Sequence, residues 1–141
     1  MSTIEKAIEM AACAHAGKVD NAGAPYVFHP LRLMLAVSGP YERMTAVLHD
    51  VVEDTAVTLD DLRAAGFPPE VIDAVGILTK REGESRLDAA VRASRNPVAR
   101  VVKLADVEDN MDLRRIANPT EKDYARLKEY EQVRALLEGK L

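Results

Sequence analysis

Apolar residues recur along this chain at helical spacing, and the rhythm breaks where capping residues, glycine and proline sit. The first rhythm follows Ser2-Thr3-Ile4-Glu5, which has the form of a capping box. It runs through an alanine-rich stretch to about Ala16, with Gly17 as its stop. Residues 18–25 form a polar loop. A second helix is expected from His29-Pro30 to Ser38-Gly39-Pro40, and a third from about Tyr41 to Glu53. Thr58 with Asp61 caps a short fourth helix that ends at Gly66. Pro68-Pro69 opens a fifth, reaching about Thr79, and Ser85 opens a sixth, to about Ser94. Asn96-Pro97 starts a seventh, and Asn118-Pro119-Thr120-Glu121 introduces the last, to about Glu138. Residues 98–104 are apolar enough for a strand, but their place between Asn-Pro and a longer helical pattern favours helix. No alternating segment bounded by turns reads as a strand, and no internal repeat stands out. The expected fold class is all-α, a compact multi-helix domain spanning residues 1–141.

Composition narrows the partners. Hydrophobic residues make up 48% of the chain and aromatics only 4%, so the core must be built from Ala, Val, Leu and Ile. A net charge of -4 and a pI near 5.4 argue against a protein that coats nucleic acid. An anionic substrate stays open, because a bound cation reverses the local field. No run approaches the roughly 18 apolar residues of a membrane span. Residues 1–6 do not begin a basic-then-apolar signal segment. A cytoplasmic protein with no membrane and no nucleic-acid partner is expected, and the oligomeric state is open. The single cysteine, Cys13, cannot form an intramolecular disulfide and is expected to be a small buried hydrophobe.

The densest chemistry lies in His49-Asp50-Val51-Val52-Glu53-Asp54. In a continuous helix, His49 and Glu53 are four residues apart, as are Asp50 and Asp54, so each pair projects in a related direction. Three carboxylates and an imidazole in six residues repel one another, and a divalent cation relieves that repulsion. Two further segments offer ligands of the same type. His29 stands in Pro25-Tyr26-Val27-Phe28-His29-Pro30, at a helix start. Asp106 stands in Lys103-Leu104-Ala105-Asp106, within apolar surroundings where a carboxylate is costly unless paired or ligated. Asn110 follows one turn later.

Taken together, these blocks resemble the HD-domain hydrolases of the RelA/SpoT type, and among them the small alarmone hydrolases. The blocks are Tyr26-x-x-His29-Pro30, Leu48-His49-Asp50-Val51-Val52-Glu53-Asp54-Thr55, Val102-Lys103-Leu104-Ala105-Asp106 and Asn110-Met111. The resemblance implies an HD fold holding one Mn²⁺ on His29, His49, Asp50 and Asp106. It implies that Glu53 and Asp54 hold and activate the attacking water. Asn110 and Tyr26 would contact or line the substrate site. The reaction it implies is removal of pyrophosphate from the 3′ position of (p)ppGpp, a phosphorylated guanosine nucleotide.

In one place the chain departs from that pattern. Where the family carries a basic pair before Gly-x-Pro-Tyr, this chain has Asp20 and Asn21. Attraction to a pyrophosphate then falls to Lys18, Lys80, Arg81 or Arg114. The departure keeps two alternatives in view, a hydrolase for another nucleotide phosphate and a nucleotide-binding module without turnover.

Other polar groups read as structural. His15 is expected to cap the C-terminus of the first helix. Residues 80–84 are expected to be a solvated turn, and Glu108, Asp109 and Asp112 an exposed helix face. In the last helix, Leu127, Tyr130, Val133 and Leu137 are expected to turn inward.

Overall fold

Most helix starts in the computed structural model, which describes residues 2–140, are set by side chains within three residues of the start. Helix α1 (Ile4–Ala14) is capped by Thr3, whose hydroxyl accepts the Lys6 N–H. The expected Ser2/Glu5 box does not form, because the Ser2 hydroxyl donates instead to the Ala65 carbonyl. Helix α2 spans Phe28–Ala36, α3 spans Pro40–Leu48 and α4 is a single turn, Val51–Asp54. Helix α5 (Leu59–Ala64) carries the Thr58/Asp61 capping box and α7 (Arg86–Ser94) the Ser85/Asp88 box, with α6 (Pro69–Leu78) between them. Asn96 caps α8 (Pro97–Asn110), its side-chain oxygen accepting the Ala99 N–H at 2.9 Å. Helix α9 spans Glu121–Leu137, and Asp123 reaches back to accept the Thr120 N–H at 2.7 Å. A 3-10 turn at Leu113–Arg115, absent from the periodicity, links the last two helices. Among the described residues no strand forms. One antiparallel bridge, Val19 to Pro25, closes the polar loop.

The third helix is not continuous. It stops at Leu48 and resumes as α4 at Val51. The His49 Nδ1–H donates to the Ala46 carbonyl at 2.8 Å, the same carbonyl that an unbroken α-helix would offer to the Asp50 N–H. Asp50 has φ -119° and ψ 8°, outside the helical basin. The helix breaks at the two residues whose side chains turn toward the molecule's centre, so the expected i, i+4 alignment of His49 with Glu53 fails. Asp50 and Asp54 stay linked, the Asp54 N–H donating to the Asp50 carbonyl at 3.0 Å.

Helix α3 is the central element and packs on α1, α2, α6 and α8. Its Val47 and Leu48 join Ala7, Ala11, Val71 and Val75 in the main core. Every one of these side chains is small or branched, as the low aromatic content requires. Helix α9 lies over α7 and α8, placing Val133 and Leu137 on Ala90 and Val107. Tyr130 packs beside them, as the pattern of α9 predicts. Cys13 is exposed rather than buried, because α1 presents Ala7, Ala11 and His15 to the core and Cys13 falls on its outer side. Among the described residues, no helix is long and apolar enough to cross a membrane.

Candidate metal centre

Packing of α2, α3 and α8 brings His29, His49 and Asp106 together, with one ligand atom from each lying within 4.8 Å of the others. His29 Nε2 is 2.8 Å from Asp106 Oδ1, and His49 Nε2 is 3.6 Å from the same oxygen. All three residues are buried, as is Asp50.

Both imidazoles are oriented through their other nitrogen. The His49 Nδ1–H donates to the Ala46 carbonyl, and the His29 Nδ1–H donates to Asp109 Oδ2 at 2.6 Å. Each ring therefore turns an Nε2 lone pair toward Asp106. Two lone pairs facing a carboxylate in a buried space demand a positive charge between them, either a proton or a metal ion. Neutral imidazole with its second nitrogen on a carbonyl or carboxylate is the usual arrangement around a bound transition metal. The donor set thus fits a divalent cation.

The electrostatics of the metal-free cluster agree. Burial lowers the pKa of His29, but hydrogen bonds to Asp106 and Asp109 outweigh it and raise it to about 9. His49 is raised as well: burial opposes the charged form, and Asp50 and Asp106 overcome it. Burial would push Asp106 up, yet Lys103 and the two histidines hold it well below the carboxylate range. The Lys103 Nζ lies 3.3 Å from Asp106 Oδ2, and the Asn110 side-chain amide donates to Oδ1 at 3.1 Å.

Asp50 sits at the edge of this cluster, its Oδ2 3.7 Å from His49 Nε2. The Tyr26 hydroxyl donates to that oxygen. The other oxygen, Oδ1, lies 3.2 Å from His15 Nε2 but out of hydrogen-bond alignment with it. Burial would raise Asp50, but His49, His15 and Tyr26 hold it below its ordinary value. Burial and the neighbouring Asp50 push the Tyr26 hydroxyl far up, so it acts as a donor.

Glu53 and Asp54 border the same cavity, which holds about 480 Å³. Glu53 accepts the Lys80 N–H at 2.6 Å, tying α4 to the turn after α6. Burial, then Asp50 and Glu53, raise the Asp54 carboxyl. Lys18 is not part of the cavity lining; its ammonium donates to the Asp54 carbonyl at 2.5 Å. Lys80, Arg86, Lys103 and Arg115 supply the cationic side of the cavity. Arg81 does not line it, and Arg114 is exposed and forked onto Asp112. Asp20 and Asn21 do line it, but the Asp20 carboxylate is occupied in a turn, accepting the Ala22 and Ala24 N–H groups at 2.9 and 3.0 Å.

The expectation of an exposed helix face fails at Asp109 and Asp112: Asp112 is half-buried beyond the end of α8, caps the 3-10 turn and lines the cavity. Asp109 is not on an exposed face: it accepts from His29 and is forked by Arg32, with Nε to Oδ1 at 2.8 Å and the second nitrogen to Oδ2 at 2.9 Å. Burial would raise it, but His29 and Arg32 hold it well below the carboxylate range. His15 does cap α1, yet it is also fully enclosed against Asp50, with its ring 4.8 Å from that of Tyr26. A usable signal for Asp109 was its spacing. It stands three residues after Asp106, on the same helical face, and Arg32 stands three after His29.

No family model matches the chain. It is 33% identical over 154 aligned positions to a probable GTP pyrophosphokinase of Mycobacterium leprae (strain TN), covering 100% of this chain and 19% of that protein. It is 34% identical over 137 positions to a guanosine-3′,5′-bis(diphosphate) 3′-pyrophosphohydrolase of Vibrio cholerae serotype O1, covering 81% of this chain and 19% of the relative. The chain thus spans about a fifth of the length of these relatives. A solved structure of a metazoan SpoT orthologue, described as hydrolysing ppGpp and acting in starvation responses, superposes with a TM-score of 0.76. The match has 23% identity and covers 97% of this chain and 85% of the other. That likeness is one of fold.

Proposed function

The chain belongs to the HD domains of the RelA/SpoT type, and on that premise we propose that it is a metal-dependent hydrolase removing pyrophosphate from the 3′ position of guanosine tetra- or pentaphosphate. The observation that carries the reading is the convergence of His29 Nε2, His49 Nε2 and Asp106 Oδ1, each imidazole already oriented through Nδ1. Relatives bear the names of both pyrophosphokinases and 3′-pyrophosphohydrolases. The His/Asp cluster inclines this chain toward hydrolysis, because it is a site for activating water.

In this reading His29, His49, Asp50 and Asp106 hold the cation, and Mn²⁺ is the ion proposed. When bound, such a cation acidifies water and draws charge from a phosphate oxygen. The protein's own groups do the rest. The Tyr26 hydroxyl fixes the Asp50 carboxylate, and the enclosed His15 ring packs against its other oxygen. Asp54, which lines the cavity close to Asp50, takes the proton of the attacking water, with Glu53 beside it. Lys80, Arg86, Lys103 and Arg115 face the anionic substrate. Asn110 and Tyr26 line its path. Water adds to the phosphorus bonded to the ribose 3′ oxygen, the bond between them breaks, and the 3′ oxygen takes up a proton, giving GDP or GTP and free pyrophosphate.

The test is pyrophosphate release from ppGpp by purified protein, stripped with a chelator and then given Mn²⁺. Release with GDP as co-product, dependent on the metal, is expected. No release from protein that holds one metal ion would refute the substrate. A second reading, hydrolysis of another nucleotide phosphate, is favoured by Asp20, whose carboxylate faces the cavity's rim where a cation would attract pyrophosphate. A phosphate-release screen over 2′-, 3′- and 5′-monoesters separates the two.

A further inference from the structure

His29 and Asp106 face each other between α2 and α8. One turn further along each helix stands a second pair, Arg32 on α2 and Asp109 on α8, bridged by the two hydrogen bonds of 2.8 and 2.9 Å. The two pairs are joined, because Asp109 Oδ2 also accepts the His29 Nδ1–H at 2.6 Å. We propose that Asp109, held in place by Arg32, is a positioning residue that fixes the tautomer and ring plane of His29 and thereby sets the affinity of the site for its divalent cation. This rests on the metal-dependent reading above.

The two imidazoles differ in how they are held. His49 leans on the Ala46 carbonyl of its own helix, which no substitution removes. His29 depends on a side chain from another helix. A free imidazole turns about two side-chain bonds and exchanges its proton between nitrogens, so a ring without a fixed Nδ1 partner presents its Nε2 lone pair only part of the time. Arg32 limits that freedom at one remove. Its planar fork engages both carboxylate oxygens and fixes the plane of the acceptor. Arg115 adds a weaker contact, 3.5 Å from Oδ2. Asp109 is enclosed, with a side chain 13% exposed, while its network partner Arg32 is 31% exposed. The pair therefore holds the ring at Nδ1, opposite the nitrogen that faces Asp106, and Arg32 also lines the cavity.

The experiment measures the Mn²⁺ dissociation constant by competition with a chelating dye for the wild type, Asp109→Ala, Asp109→Asn and Arg32→Met. Melting temperatures of the metal-free proteins are recorded alongside. Asp109→Ala is expected to weaken Mn²⁺ binding about 10–100-fold, the usual effect of losing such an outer partner. Asp109→Asn should recover most of the affinity, since its carboxamide oxygen still accepts from Nδ1. Arg32→Met should shift binding in the same direction by less. A merely structural role would lower the melting temperatures and leave the dissociation constants of the folded proteins unchanged, and that result overturns the proposal. Should Asp109→Ala fail to fold, Arg32→Met decides: weaker binding sustains the proposal and unchanged binding overturns it. If the wild type takes up no Mn²⁺, the metal-dependent reading falls and this inference with it. If the wild type binds and Asp109→Ala binds as tightly, this inference alone falls.

Discussion

Substituting Asp106 by Asn separates the charge of the metal centre from its shape. The side chain keeps its volume and one oxygen, but the cluster loses the anion that His29, His49, Lys103 and Asn110 all address. Two magnitudes follow. In the metal-free protein, the charged contacts at 2.8 and 3.3 Å become neutral ones. The Asp106 side chain is only 12% exposed, so solvent screens little, and a cost of about 1.5–3 kcal/mol is expected for the lost charge-assisted bonds. With the metal present the difference grows. At Mn²⁺ a hundredfold above its dissociation constant, binding stabilises the wild type by about 2.7 kcal/mol. For a domain of this size that is a rise in melting temperature of roughly 10 °C. The variant should show almost none of that rise and no turnover. The assay is thermal unfolding of both proteins with and without Mn²⁺, followed by pyrophosphate release at saturating metal. An equal Mn²⁺-induced rise in wild type and Asp106→Asn would refute the assignment of Asp106 as a ligand, whatever happened to activity.

Three other outcomes are expected. Glu53→Gln and Asp54→Asn should retain the Mn²⁺-induced rise in melting temperature while lowering kcat by about 10²–10⁴-fold, the range for loss of a general acid or base; unchanged kcat in both removes them from the reaction. Mn²⁺ affinity should tighten as pH rises from 6.5 to about 9, because His29 is raised to about 9 in the metal-free cluster and must lose its proton to bind. The sign for stability is the reverse: the raised pKa stabilises the metal-free fold fully below 6.5, and that stabilisation is lost as pH passes through about 9. Dissociation constants and melting curves at three pH values check both, and a flat affinity profile contradicts the first. Asp20→Lys should strengthen binding of inorganic pyrophosphate to the metal-loaded protein. It should also cost about 1–3 kcal/mol of stability for the two turn hydrogen bonds lost, readable by urea unfolding.

The sequence by itself determined what neighbours within a turn can decide. Thr58 with Asp61 and Ser85 with Asp88 close their boxes because both partners lie within three residues. Asn96-Pro97 starts α8 for the same local reason, which settles residues 98–104 as helix. The ligand types were legible too, since an aspartate in an apolar helical stretch is costly without a partner. Where reach along the chain exceeds one turn, spacing shows which residues share a face but not which faces meet. Asp109 looks like surface beside Glu108 until α2 packs on α8 and places it on His29, 80 residues away in the chain. His15 looks like a simple helix cap until the core encloses it against Asp50. Ser2 abandons its box for a carbonyl 63 residues distant.

The break between α3 and α4 belongs to the tertiary structure in the same sense. Local periodicity carries the helix through His49 and Asp50, because backbone hydrogen bonding within a helix depends only on residues four apart. The break appears because both side chains must reach a centre built by α1, α2 and α8. That demand comes from burial of charged groups, which only the assembled core imposes.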